Sequence, residues 1–126
     1  MSVIDLIIRI KNGYMAKIEN VDCPYSKYRE AVLVKLKQLE YIDTFDISGD
    51  KQKKIHVKLR YEDGVRALTD IKLFSTPGKR MYIPYRKIKR VKGGMGHALL
   101  SSSKGIITGD QARKERIGGE LLFYIW

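Results

Sequence analysis

The chain ends on Leu121-Leu122-Phe123-Tyr124-Ile125-Trp126, six apolar or aromatic side chains without a polar interruption. Successive side chains of a strand face opposite sides of a sheet. Such a run is stable in water only where both faces are covered, so it predicts a buried central strand rather than a loose tail. With 126 residues, the chain suits one compact unit or two small subdomains sharing an interface. At that size folding removes very roughly two-thirds of the unfolded surface from water, enough for a core without staples.

The charge is distributed unevenly. Twenty-five Lys and Arg against fourteen Asp and Glu leave a net +11. Residues 1–63 hold 12 bases and 10 acids, whereas residues 64–126 hold 13 bases and 4 acids. Between Asp70 and Asp110 there is no acid, but there are nine bases: Lys72, Lys79, Arg80, Arg86, Lys87, Lys89, Arg90, Lys92 and Lys104. Phe74, Tyr82 and Tyr85 are interleaved with them. Self-repulsion on this scale points to a polyanionic partner, nucleic acid first and an anionic membrane surface second. Rings beside cations add stacking to phosphate contact, a mixture that suits RNA.

Several classes fall away. The lone Cys23 cannot form an internal disulfide, which fits a reducing compartment. His56 and His97 with one cysteine make no zinc site, so no metal or cofactor is expected. No apolar run approaches bilayer length, and Met1-Ser2-Val3-Ile4-Asp5 lacks a basic leader, so neither a membrane nor a secretory route is expected. Ser101-Ser102-Ser103-Lys104 matches S-x-x-K, but the S-D-N and K-T-G elements that accompany it in acyl enzymes are missing. Gly93 to Gly96 is not followed by G-K-[ST], and Asp110, Glu115 and Glu120 show no paired-carboxylate spacing. His56 reads as a surface residue of a strand. No catalytic residue, and hence no small-molecule substrate, is predicted.

The periodicities give an α+β chain. Val3, Ile4, Leu6, Ile7, Ile10 and Tyr14 share one side of a helix, and Asn12-Gly13 predicts its stop. Lys17 to Val21 reads as a strand ending at Cys23-Pro24. Ser26 predicts the cap of a second helix over 27–40, with Tyr28, Ala31, Val32, Leu36 and Leu39 inward. Ile42 to Ser48 is a strand, and in the next one Ile55, Val57, Leu59 and Tyr61 face inward. The result is a helix–strand–helix–strand–strand subdomain, residues 1–72, with Ile71-Lys72-Leu73 as an edge strand. Residues 73–126 form a second subdomain packed with it, mainly β with one short helix over 110–116. There, strands over 97–101 and 106–108 flank the segment from Ser102 to Gly105. That segment reads equally well as a plain hairpin turn or as a binding loop whose hydroxyls approach a groove.

Ser101-Ser102-Ser103-Lys104-Gly105-Ile106-Ile107-Thr108, followed by Ala112-Arg113 and Ile117-Gly118-Gly119-Glu120, resembles the C-terminal signature of the small-subunit ribosomal protein S8 family. Arg9 to Gly13; Pro24, Ser26 and Lys27; Ser75, Pro77, Gly78, Arg80 and Tyr82; and Val91, Gly94, Met95 and Gly96 are similar in the same order. The chain departs from the pattern at Ile8, where Thr is usual, at Ser102 (Thr), at Gly109 (Asp) and at Lys89 (Pro).

The resemblance implies a structural protein of the ribosome, the cytoplasmic one expected first and an organellar one second, that binds the central domain of small-subunit rRNA directly and helps organise assembly beside neighbouring small-subunit ribosomal proteins. It implies Ser101, Ser102, Ser103 and Lys104 as the recognition loop, Arg80 and Tyr82 as supporting contacts, and Gly119 and Glu120 beside the loop. Lys27 is implied as the first subdomain's contribution, while Arg86 and Lys87 come from the charge map. An alternative is a translational repressor that binds an mRNA mimicking the rRNA site.

Overall fold

Ser2 opens the first helix, α1 (Val3–Met15), by a reciprocal cap. Its hydroxyl accepts from the Asp5 N–H at 3.1 Å, and the Asp5 carboxylate accepts from the Ser2 N–H at 3.2 Å. The Ser2 N–H and the Ser2 hydroxyl, which donates to the same carboxylate at 3.0 Å, hold the Asp5 carboxyl below its ordinary value. The helix does not stop at Asn12-Gly13. Gly13 lies inside it, at a close approach where a Cβ would come within 2.8 Å of Val21 Cγ1. The left-handed residue that turns the chain away is Lys17, at φ 57°.

The computed structural model describes residues 2–126, which divide into two units between Leu68 and Thr69. In the first, β1 (Asn20–Pro24), α2 (Lys27–Gln38), β2 (Thr44–Ser48) and β3 (Lys54–Lys58) follow α1. The strands form an antiparallel sheet in the order β1-β3-β2. Val21, Cys23, Ile55 and Val57 make its buried face, and α1 packs against β1 and α2. Ser26 caps α2 as expected, its hydroxyl accepting from the Arg29 N–H at 3.1 Å. The inward stripe is Val32, Leu33 and Leu36, however, and Tyr28 and Ala31 are exposed. The helix is rotated by about one position, which exchanges Ala31 for the larger Leu33 in the core.

Buried Tyr14 ties this unit together: its hydroxyl donates to the Tyr41 carbonyl at 2.6 Å and accepts from the Arg60 N–H at 2.9 Å. Burial pushes that phenol up from its ordinary value. Tyr61 does not extend β3. It belongs to a small hairpin, β4 (Tyr61–Glu62) with β5 (Val65–Arg66), and donates to the Ile18 carbonyl at 2.7 Å.

The second unit is built around the C-terminal run. Its strands are β6 (Ile71–Leu73), β7 (Tyr82–Ile83), β8 (His97–Ser102), β9 (Gly105–Thr108) and β10 (Gly119–Ile125), with one helix, α3 (Gly109–Glu115). The order β6-β10-β8-β9 puts β10 inside the sheet, and β7 also pairs with it. The β10–β8 register shifts between Leu121 and Phe123, so Leu121 opposes Leu100 while Phe123 opposes Leu99; these neighbours face opposite sides and all four are buried, so both faces of β10 are covered. One face packs Leu121, Leu100 and Ile107 against Ala112 of α3 and against Ile88 and Val91. Strand Ile71–Leu73 pairs with β10, at Phe123, Tyr124 and Ile125, rather than edging the first sheet. Three residues are too few to carry a partner preference in their own pattern. Among the described residues no helix is long and apolar enough to cross a membrane.

Candidate nucleic-acid interface

Ser102, Ser103, Lys104 and Gly105 form the tight turn between β8 and β9, with Ser102 opposite Gly105. The Ser102 hydroxyl serves that turn: it accepts from the Lys104 N–H at 3.1 Å and donates to the Gly105 carbonyl at 2.9 Å. Gly105 supplies the φ of +97° that closes the loop. Among the described residues, the Ser101 and Ser103 hydroxyls have no hydrogen-bond partner, and Ser103 and Lys104 are exposed. Lys104 Nζ reaches Glu115 Oε1 of α3 at 3.4 Å.

Sheet register brings other residues alongside. Tyr82 of β7 stands opposite Glu120 of β10, which stands opposite Ser101 of β8. Directly opposed residues share a face, and three strands at ordinary spacing put Tyr82 and Ser101 about 10 Å apart. Tyr82 is 70% exposed, a large ring with little cover. Glu120 is only 13% exposed at its side chain and meets Arg80 Nη1 at 3.7 Å. The close approach of β10 to β8 depends on Gly119, where a Cβ would lie 2.5 Å from the Ser101 carbonyl oxygen.

Structure therefore gathers Ser101, Ser102, Ser103, Lys104, Tyr82, Arg80, Gly119 and Glu120 at one end of one sheet. Arg86 and Lys87 lie on a single 3-10 turn, Tyr85–Lys87, which follows β7 and packs against α3. Lys27 stands exposed in the first turn of α2, in the other unit. All nine bases of the acid-free stretch are exposed. Arg80 and Lys104 have acidic partners, while Lys72 and Lys92 lie over Phe74 and Trp126 at 5.5 and 4.6 Å from the ring centroids. Exposed pairs of this kind are weak, so they leave the cations available to a polyanion.

Ser75, at the start of the Ser75-Thr76-Pro77-Gly78 turn and a match to the family pattern, positions this end of the sheet. It is 2% exposed, and its hydroxyl accepts from the Met81 N–H at 2.8 Å, fixing the approach to Arg80 and Tyr82. A serine between Phe74 and Thr76 carries no periodic signal that would mark it as buried. Among the described residues no group of three His, Cys, Asp or Glu side chains is placed to hold a metal ion.

The pattern that defines the family described as Ribosomal protein S8 matches residues 2–126. The chain is 46% identical over 126 residues to the small ribosomal subunit protein uS8 of Syntrophobacter fumaroxidans, covering 98% of this chain and 96% of that one. It is 42% identical over 125 residues to the protein of the same name from Dictyoglomus thermophilum, with 98% and 95% covered. The corresponding protein of Mesomycoplasma hyopneumoniae (strain 7448) is 39% identical over 124 residues, with 98% and 95% covered.

Proposed function

The chain belongs to the ribosomal protein S8 family, a family of structural ribosomal components rather than enzymes, and we propose that it binds the central domain of small-subunit rRNA directly and helps organise its assembly. Its place of work on this reading is the cytoplasmic ribosome, beside neighbouring small-subunit ribosomal proteins.

The observation that carries the reading is the Ser103–Lys104 turn, with unengaged hydroxyls at Ser101 and Ser103, set beside exposed Tyr82 and a field of exposed bases. An A-form major groove is too narrow for side chains, so sequence-selective RNA recognition falls to the shallow minor groove and to unpaired bases. A two-residue turn bearing small hydroxyls can enter a shallow groove, and Tyr82 offers a ring for stacking. Ser101, Ser103 and Tyr82 supply readout. Lys104, Arg80, Arg86 and Lys87 supply phosphate neutralisation, and Lys27 extends it from the first unit. Gly119 and Glu120 act from behind, Gly119 by admitting β8 and Glu120 by holding Arg80.

The test is a filter-binding titration against a central-domain rRNA fragment, with a scrambled duplex of equal length, at two salt concentrations. A preference of roughly a thousandfold that survives the higher salt is expected of a specific binder. If about six phosphates are covered, affinity for both RNAs should also fall on the order of a thousandfold from low to near-physiological salt. Equal, salt-labile binding to both RNAs would refute direct recognition of that domain.

A further inference from the structure

The outward face of the first sheet holds a group that the RNA reading does not use. Asp22 of β1, His56 of β3 and Asp46 of β2 stand in one row across the three strands, with Lys54 and Ser48 opposed in the next row of that face. His56 Nδ1 lies 2.8 Å from Asp22 Oδ1, and His56 Nε2 lies 2.7 Å from the Ser48 hydroxyl. An ionised carboxylate only accepts, so Asp22 requires the proton on Nδ1. In the neutral ring Nε2 is then the acceptor, and the Ser48 hydroxyl must donate to it. Hydroxyl, imidazole and carboxylate are linked in the order by which an activated serine is recognised, whatever the fold.

Two further features surround this chain of bonds. Lys54 faces Ser48 directly across the ladder, at a spacing that lets its ammonium approach an oxygen bound near Ser48. An open groove of about 460 Å³ lies between Pro24–Tyr25 and Asp50–Lys54, and Lys51, Lys53 and Lys54 line it. Lys54 joins the two, since it lines the groove and opposes Ser48, so a small anion entering the groove would meet its charge beside a hydroxyl already bonded to a base.

We infer that Ser48 is a self-modification site that takes an acyl group from small acyl phosphates. The Ser48 oxygen attacks the acyl carbon, so an Oγ–C bond forms and the carbon–oxygen bond to phosphate breaks. The hydroxyl proton passes to His56 Nε2 and from there to the departing phosphate. The products are one Ser48 ester and one hydrogen phosphate, with no net redox change. Asp22 is a positioning residue, holding the ring with Nε2 towards Ser48, and the groove lysines hold the phosphate. The inference does not depend on the RNA reading.

The test incubates the full chain with acetyl phosphate at neutral pH and maps acetylation by tandem mass spectrometry. Ser103, exposed and without a hydrogen-bond partner, is the internal reference. Ser48 should be esterified about a hundredfold faster than Ser103, the scale of a positioned general base. His56→Ala should remove most of that factor, and Asp22→Asn at least about tenfold, through loss of the correct tautomer. Equal rates at Ser48 and Ser103, or acetylation confined to the amines of Lys51, Lys53 and Lys54, would overturn the inference. So would a His56→Ala chain that acetylates Ser48 as fast as before. The Ser48-to-Ser103 ratio needs no variant, so it decides the question even where a substituted chain fails to fold.

Discussion

The two units differ in how far their acids offset their bases. Up to Leu68 there are 13 Lys and Arg and 10 acids, with pairs such as Asp43 with Lys58 and Glu62 with Arg60, and with Asp22 hydrogen-bonded to His56. From Thr69 onward there are 12 bases and 4 acids, so even with Glu120, Glu115 and Asp110 paired most of the cations are left over, and they face water with the Ser103 hydroxyl of the β8–β9 turn. Their hydrophobic arrangements differ in parallel. The first sheet has one buried face and one polar face, whereas β10 is buried on both. A doubly covered strand holds a sheet end rigidly enough that its turn can carry unsatisfied donors without local collapse. A sheet with one polar face has room to pair its polar groups internally.

The largest test breaks the second arrangement at its centre. Phe123 is fully buried on β10, and Phe123→Ala should cost about 3–5 kcal/mol through lost burial and the cavity left behind. Urea unfolding followed by near-ultraviolet circular dichroism reads this. RNA selectivity should fall with it, because the Tyr82–Glu120–Ser101 row hangs on the same strand. Selectivity intact in a chain destabilised this far would mean that the turn recognises RNA without its sheet.

Smaller effects separate the roles within the turn. Ser103→Ala should cost about 1–3 kcal/mol in binding to the central-domain fragment and leave a non-cognate duplex unchanged. An equal loss on both RNAs would remove Ser103 from readout. Ser102→Ala should act on the protein itself, lowering stability by about 1 kcal/mol, since its hydroxyl both accepts and donates within the turn. Lys87→Ala should weaken both RNAs alike and lower the slope of log affinity against log salt by about one. A loss confined to the cognate RNA would place Lys87 against a base instead.

How far the residues themselves foretold these differences depends on the range of the interaction. The C-terminal run shows its own environment, since six apolar neighbours can only be covered on both sides. Ser26 and the turn at Gly105 were equally legible, because caps and tight turns are local chemistry. The rotated stripe of α2 was harder: Ala31 and Leu33 both fit an amphipathic helix, and only packing chooses between them. The partner of Ile71–Leu73 lies some fifty residues away, at Phe123 to Ile125. His56 was correctly read as outward-facing, yet its bonds to Asp22 and Ser48 join three strands whose registers no single segment reveals. Arg80 with Glu120, and the tolerance of β10 for Ser101 at Gly119, likewise needed the assembled sheet; the paired Gly118-Gly119 was the available hint.

The smallest effect tests the internally paired unit at its first turn. The Ser2 N–H and the Ser2 hydroxyl both donate to the Asp5 carboxylate, bonds that favour its ionised form and lower its pKa from the ordinary 3.8. A carboxyl lowered on folding contributes stability that is fully present above its unfolded value and is lost as pH falls through the folded value. The window for Asp5 therefore lies below about pH 4, and the difference in stability between the natural chain and Asp5→Asn should shrink there. Paired thermal melts at pH 6 and at pH 2.5 measure that difference directly. Because the side chain is open to water the shift in melting temperature should be slight, but its sign is fixed by the direction of the pKa change. A difference that grows on acidification would mean that the Asp5 carboxyl stabilises α1 in its protonated form, and that the first unit does not depend on a charged cap at its start.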